Sequence, residues 1–407
     1  MRVLLVNDGV ANEGGMETYL TLLRAALAQR GDDVRLLTSS AGSKGNGSAD
    51  YVAFGATSAA AQAFLQIVNP AALATMRRAV SEFRPDVTLV NMFEMHLSPA
   101  IFAALRGVPT VLNIANYKPI CPIGLKLLPS GSRCVVPPGL VCVRSGCVGP
   151  AHWVRDRPRY ALIGRAVGSA DHVLTCSAWM TEQLARHGIA STYLPWPSPR
   201  VRAGFSREPA SQPRFVYLGR LAREKGVDVL LRAFAALVVR VPDARLRVVG
   251  TGPLDGALRA EAERLRLGSK VEFVGQASRE QVDAELESAW ALVAPSLWAE
   301  PFGIIALEAL ARGVPVIATK GGGFEETVNE RSTGILVPPG VEGALADALL
   351  EVATRRAFPE QTPDVHAAGA VLRRHDLDAH VEALRTLLGS TIEAQRIRPA
   401  PSIGTVA

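Results

Sequence analysis

No apolar run in this sequence is long enough to cross a bilayer, because charged residues interrupt every candidate stretch. The opening Met1–Val6 run is too short for the core of a signal peptide and passes straight into Asn7 and Asp8. It is expected to be a buried first strand of a cytoplasmic protein. Basic residues are not clustered with aromatics, so the nucleic-acid-binding signature is missing. Cysteine is scarce, with five in 407 residues, and in a cytoplasmic chain a disulfide framework is not expected. There is no repeat of solenoid period. The net charge of +6 is modest. It fits attraction to phosphate-bearing ligands, or peripheral contact with an anionic inner-membrane surface.

What is present is ordinary globular material, 48% apolar and 20% charged, in a chain too long for one hydrophobic core. Short β-rich runs alternate with helical patterns, which predicts parallel sheets covered by helices. Strands are expected at Val3–Val6, Val34–Leu37, Val87–Val90, Thr110–Ile114 and His172–Thr175, with a helix from Glu17 to Arg30. The Gly- and Ser-rich Ala41–Asp50 reads as a loop. Prolines 195, 197, 199, 209 and 213 then break the pattern. It restarts with Arg214–Leu218, Leu246–Val249, Val271–Val274, Ala291–Ala294 and Val314–Ala318. The expected division is an acceptor-side domain over 1–195, a linker over 196–213 and a second domain over 214–387. Residues 388–407 are expected to be a disordered tail.

The segment Pro295–Gly313 carries the densest chemistry. Gly303 and Ile304 open a helix after a strand, so their N–H groups can hold a diphosphate or an anionic leaving group. Glu300 precedes that helix and Glu308 lies within it, so one carboxylate can face a sugar while the other accepts hydrogen bonds from hydroxyls. Gly219–Gly226 leaves the first strand of the same domain, where open α/β sheets bind ligands. It carries Arg220, a planar fork, and Lys225, a mobile point charge, both suited to growing negative charge. Three further leads fall away. Asp255 stands where a dinucleotide fingerprint after Gly250-x-Gly252 wants glycine or alanine. Asp376-Leu-Asp378 opens a helix and is better explained as its cap. His375 and His380 flank that pair without a sequence link to the site.

Taken in order, Gly219-Arg220…Lys225-Gly226, Val249-Gly250-x-Gly252-Pro253, Phe273-x-Gly275 and Glu300-Pro-Phe302-Gly303…Glu308 resemble family 4 retaining glycosyltransferases. The resemblance implies a GT-B fold, an α/β architecture of two Rossmann-like domains facing across a cleft. It implies a nucleoside-diphosphate sugar as co-substrate, with no metal or other cofactor required and no covalent enzyme intermediate. By resemblance, Arg220 and Lys225 bind the donor phosphates, and Glu300 and Glu308 contact sugar and ribose. Gly252 flanks the base, while Phe302, Gly303 and Ile304 belong to the donor-binding segment. The paired Gly14 and Gly15 after the first strand would face the donor phosphate and acceptor.

A further stretch, Asn113-Ile-Ala115-Asn116-Tyr117, resembles one that many relatives write with a histidine where Ala115 stands. Asn113, Asn116 and Tyr117 are therefore the acceptor-side candidates. Cys121, Cys134, Cys142 and Cys147 could complete a tetrahedral thiolate site but lack Cys-x-x-Cys pairs, so they remain a weak metal candidate or a family insertion over the acceptor cleft. The reading is a hexosyltransferase acting on a carbohydrate or lipid-linked acceptor, in polysaccharide, glycolipid or glycoconjugate synthesis. A catalytically impaired nucleotide-sugar-binding protein and a sugar-nucleotide epimerase are the rival readings.

Overall fold

In the computed structural model, which describes residues 1–9, 15–41, 49–198 and 207–397, the chain forms two wholly parallel sheets. The first contains β1 (Arg2–Val6), β2 (Asp33–Ser39), β3 (Tyr51–Ala53), β4 (Val87–Val90), β5 (Thr110–Ile114), β6 (His172–Thr175) and β7 (Thr192–Tyr193), in the order β3-β2-β1-β4-β5-β6-β7. The second contains β8 (Arg214–Leu218), β9 (Arg245–Val249), β10 (Val271–Gly275), β11 (Ala291–Ala294), β12 (Val316–Thr319) and β13 (Gly334–Val337), in the order β10-β9-β8-β11-β12-β13. The central strands read as continuous apolar runs because helices bury them on both faces.

Every strand expected from the apolar runs is present, within two residues at its ends. The strands missed are β3, β7 and β13. Two of them are short edge strands, too brief for periodicity to show. The predicted first helix spans Gly15–Gln29. Most of the expected loop Ala41–Asp50, and part of the expected linker, lie outside the described residues.

Each sheet reverses its strand order once, between β1 and β4 and between β8 and β11, and the loops leaving those strands define a crevice where α/β folds bind ligands. The end of the chain departs from expectation. Helix Leu377–Ile397 runs well past residue 388, with Leu384, Leu388, Thr391 and Ile392 buried. It packs against helix Gly15–Gln29 and against β4 and β5, completing the first domain rather than trailing from the second. Its apolar stripe has no nearby partner in sequence, so the pattern looked coreless until the first domain supplied one. Asp376 caps this helix through the N–H of Ala379 at 2.8 Å, as expected. No helix among the described residues is long and apolar enough to cross a membrane.

Candidate active site

At the reversal of the second sheet, β8 hands the chain to Gly219–Gly226 while its neighbour β11 hands it to Pro295–Gly303. The two loops are tied by the N–H of Leu297 on the carbonyl of Glu224, at 2.8 Å. Lys225 and Glu300 therefore meet, with Nζ donating to Oε1 at 2.7 Å. The other carboxylate oxygen accepts from Ser296 Oγ at 3.0 Å and from Trp298 Nε1 at 2.7 Å. Lys225 Nζ also stands 5.1 Å above the Trp298 ring, a cation–π contact. Three donors fix the carboxylate before any ligand arrives, which is the preorganisation that electrostatic catalysis needs.

Arg220 is exposed and makes no side-chain hydrogen bond or ion pair within the described residues. It sits at a cavity of about 310 Å³ lined by Gly219, Gly250, Thr251, Gly252, Gln276 and Val282, so the predicted base-side residues and the predicted phosphate ligand share one pocket. Glu308 is buried and receives Arg279 Nη1 at 2.8 Å. Gly303 adopts φ 82°, and a side chain there would run into the Phe324 ring, so glycine is the residue that allows the turn. The helix it opens, Ile304–Leu310, is only two turns long. Its contribution is thus the N–H groups of its first turn more than a long macrodipole. Phe302 itself is buried, edge-on to Trp196 and His375 at 5.6 and 5.4 Å between ring centres, so its side chain joins the domains and does not face a ligand. His375, which the sequence left unconnected to this segment, is in contact with it.

The first domain closes on this surface. A β-carbon added at Gly15, the first residue of its helix, would lie 3.0 Å from Ile304 Cγ2, so the start of that helix and helix Ile304–Leu310 face one another; Gly14 lies outside the described residues. Tyr117 does not line an acceptor site. Its buried hydroxyl donates to the carbonyl of Ala299 at 2.7 Å and accepts from Trp179 Nε1 at 2.9 Å, bolting one domain to the other. Burial keeps that phenol protonated by raising its pKa. Asn113 is buried in β5 and bonds Asn91 Oδ1 at 2.8 Å. Of the three acceptor-side candidates only Asn116 is partly exposed, holding the N–H of Lys118 at 2.8 Å. Further clasps across the cleft run from Arg133 to the carbonyls of Lys320 and Trp298, and from the N–H groups of Ala178 and Trp179 to Glu326.

Sequence reasoning missed a polar cluster at the reversal of the first sheet. Asp8 follows β1 and accepts the N–H groups of Met95, His96 and Leu97 at 2.7, 2.9 and 2.7 Å. Glu94 follows β4, fully buried, with its pKa raised by burial and by the charge of Asp8. Lys118 is pulled down by burial and by Arg159, whose Nη2 bonds the carbonyl of Glu94 at 2.8 Å. The available signal was position, since both acids lie in the loops that leave β1 and β4 at a switch point.

The four cysteines of 121–147 are free thiols close enough together that the other three, after burial, raise the pKa of Cys147. Among the described residues no group of three or more His, Cys, Asp or Glu is arranged to hold a metal ion.

Two family models match the chain in tandem, a glycosyl transferase 4-like domain over residues 14–194 and glycosyl transferases group 1 over residues 203–364. This chain belongs to the family 4 glycosyltransferases of GT-B fold. It is similar to a glycogen synthase of Mycobacterium tuberculosis, 32% identical over 210 residues, covering 48% of this chain and 49% of that one. A D-inositol 3-phosphate glycosyltransferase of Corynebacterium urealyticum is 37% identical over 171 residues, covering 39% and 40%. The chain spans about half the length of the curated relatives it matches. Among solved structures, sucrose-phosphate synthase from Thermosynechococcus elongatus superposes with a TM-score of 0.73 at 22% identity, covering 97% of this chain and all of that one. Anabaena HepE in complex with UDP-glucose gives 0.68 at 17%, covering 96% and 100%.

Proposed function

We propose that the chain transfers a hexosyl group from a nucleoside diphosphate to an acceptor hydroxyl with retained anomeric configuration. The observation that carries the reading is the convergence of Lys225 and Glu300 beside the free cation Arg220, at the reversal of the second sheet and opposite Gly15. In the reaction the bond from the anomeric carbon to the diphosphate breaks, leaving negative charge on phosphate and positive charge on the sugar. Arg220, Lys225 and the first-turn N–H groups of Gly303 and Ile304 address the phosphate charge. Glu300, held by Ser296 and Trp298, addresses the sugar. Glu308 is the ribose ligand. The new bond forms to the acceptor oxygen, whose proton leaves with the departing diphosphate. No metal is assigned a role. A uridine diphosphate sugar is the first donor to try, because HepE, a neighbour in fold, is solved with UDP-glucose.

Ala115 favours a second reading, a binding protein with impaired catalysis, because relatives place a histidine there. One experiment separates the two. Purified protein is screened for nucleotide-sugar binding by calorimetry and for nucleoside-diphosphate release, with Lys225→Ala and Glu300→Ala as controls. Turnover lost in both variants supports transfer. Tight binding without hydrolysis or transfer supports the second reading, and no binding to any nucleotide sugar would sink both.

A further inference from the structure

Between Glu94 and Asp156 the sequence contains no acidic residue, while it carries Arg106, Lys118, Lys126, Arg133, Arg144 and Arg155. Within this stretch and just beyond it, apolar side chains stand in solvent. Val135 is 77% exposed, Leu140 63% and Val154 68%, and Val136 and Val141 are exposed beside them. Isolated exposed apolar residues are normal on a protein surface, but a concentration of them marks a contact.

The concentration is also one surface. Pro138 of the loop shares a cavity of about 120 Å³ with Trp153, Tyr160 and Ile163 of helix Pro150–Ser169, so loop 135–141 lies against the first half of that helix. The exposed side of the helix carries Ala151, Val154, Arg157, Ala161 and Arg165. Its one acid, Asp156, is turned inward and neutralised by Arg155 at 2.7 Å. Arg144 is exposed at the end of the short helix Leu140–Arg144. What loop 135–141 and this helix expose is therefore apolar tips together with Arg144, Arg157 and Arg165, and between residues 95 and 169 there is no exposed carboxylate.

We propose that this face of the first domain docks on an anionic lipid bilayer. The apolar tips enter the acyl boundary while Arg144, Arg157 and Arg165 meet lipid phosphates. An acidic protein partner would match the arginines but gives no reason for valine and leucine tips on a loop. A second copy of this chain would place arginine against arginine. The surface adjoins the acceptor side of the cleft, because Lys118 lines the same small cavity and follows Asn116 by two residues. A membrane-borne acceptor is thus the consequence. That consequence rests on the transferase reading, whereas the docking itself does not.

The test is cosedimentation of the full chain with vesicles of phosphatidylcholine alone or mixed with phosphatidylglycerol. Binding is expected to the mixed vesicles only and to weaken with salt. Val135→Asp combined with Leu140→Asp is expected to weaken it by about tenfold or more. Arg144→Gln and Arg157→Gln are each expected to cost roughly fivefold. Val239→Asp, at a valine 80% exposed on the second domain, leaves it unchanged. Uridine diphosphate binding, measured on every variant, reports an intact fold. Its failure alongside intact vesicle binding counts against the transferase reading and leaves docking standing. Absence of vesicle binding overturns the proposal. So does binding that survives the Val135 and Leu140 substitutions but is lost with Phe64→Asp, in the other exposed apolar group of this domain. A self-association abolished by Leu140→Asp overturns it as well.

Discussion

Lys225 Nζ lies 2.7 Å from Glu300 Oε1, although the two residues leave different strands and are separated by 75 positions. Because Ser296 and Trp298 hold the same carboxylate, removing the lysine deprives the site of a cation without leaving Glu300 unsupported. Lys225→Ala is expected to lower kcat by about 10²–10³-fold, the loss seen when one preorganised charge-stabilising donor is removed. The melting temperature should fall by no more than about 4 °C. Steady-state kinetics and thermal unfolding on the same preparation decide it; a large stability loss would make the pair structural.

Arg133 crosses the cleft to the carbonyl of Lys320, and Gly321 at φ 94° leaves room for its guanidinium where a β-carbon would collide with it. Arg133→Ala and Gly321→Ala should each raise the donor KM several-fold by loosening closure. Because both act on one clasp, their effects should not add. A double-mutant cycle measures this, and simple additivity would show that the contacts are independent.

By the resemblance of Asn113–Tyr117 to the family's segment, Ala115 takes the position of a histidine expected beside the reacting sugar. Ala115→His is expected to raise turnover by about tenfold or more, with donor affinity little changed. A fall in turnover would show that this site has been rebuilt around alanine.

The buried His380 donates from Nδ1 to the carbonyl of Pro195 at 2.7 Å, so Nε2 accepts the hydroxyl of Tyr19 at 3.1 Å. Burial holds its pKa down to about 4, against an ordinary 6.5. The fold thus prefers the neutral ring, and the unfolded chain takes up a proton first as pH falls. The stabilisation is complete above pH 6.5 and drains away toward pH 4, a contribution on the order of 3 kcal/mol. His375, also pushed down by burial, acts in the same direction. His380→Gln should flatten the fall in melting temperature across that window; an unchanged acid limb would assign it to other groups.

Leu388 is fully buried on the first domain, and Ile397, nine residues on, is 81% exposed. Leu388→Ala is expected to cost about 2–5 kcal/mol, and Ile397→Ala to be silent. Chemical denaturation separates them. Equal effects would mean that the terminal helix does not dock as described.

The sequence by itself determined the alternation of buried strands and helices, hence two parallel sheets, because a strand covered on both faces must be apolar along its whole length. It also showed the motifs Arg220–Lys225 and Glu300–Glu308, since these are local runs that need no distant partner to be seen. Short edge strands escaped because a few residues carry no period. Only the tertiary structure decided what depends on distant partners. Tyr117 and Phe302 look like ligand contacts in sequence, but burial against Ala299, Trp196 and His375 turns them into interdomain fastenings. Helix Leu377–Ile397 looks coreless until β4 and β5 supply its missing surface. Asp8 and Glu94 are unremarkable acids until parallel pairing of β1 and β4 brings their loops together, where burial and the charge of Asp8 raise the pKa of Glu94. A periodic pattern can say that a side chain is buried. Which side chain it is buried against depends on how the chain crosses over itself.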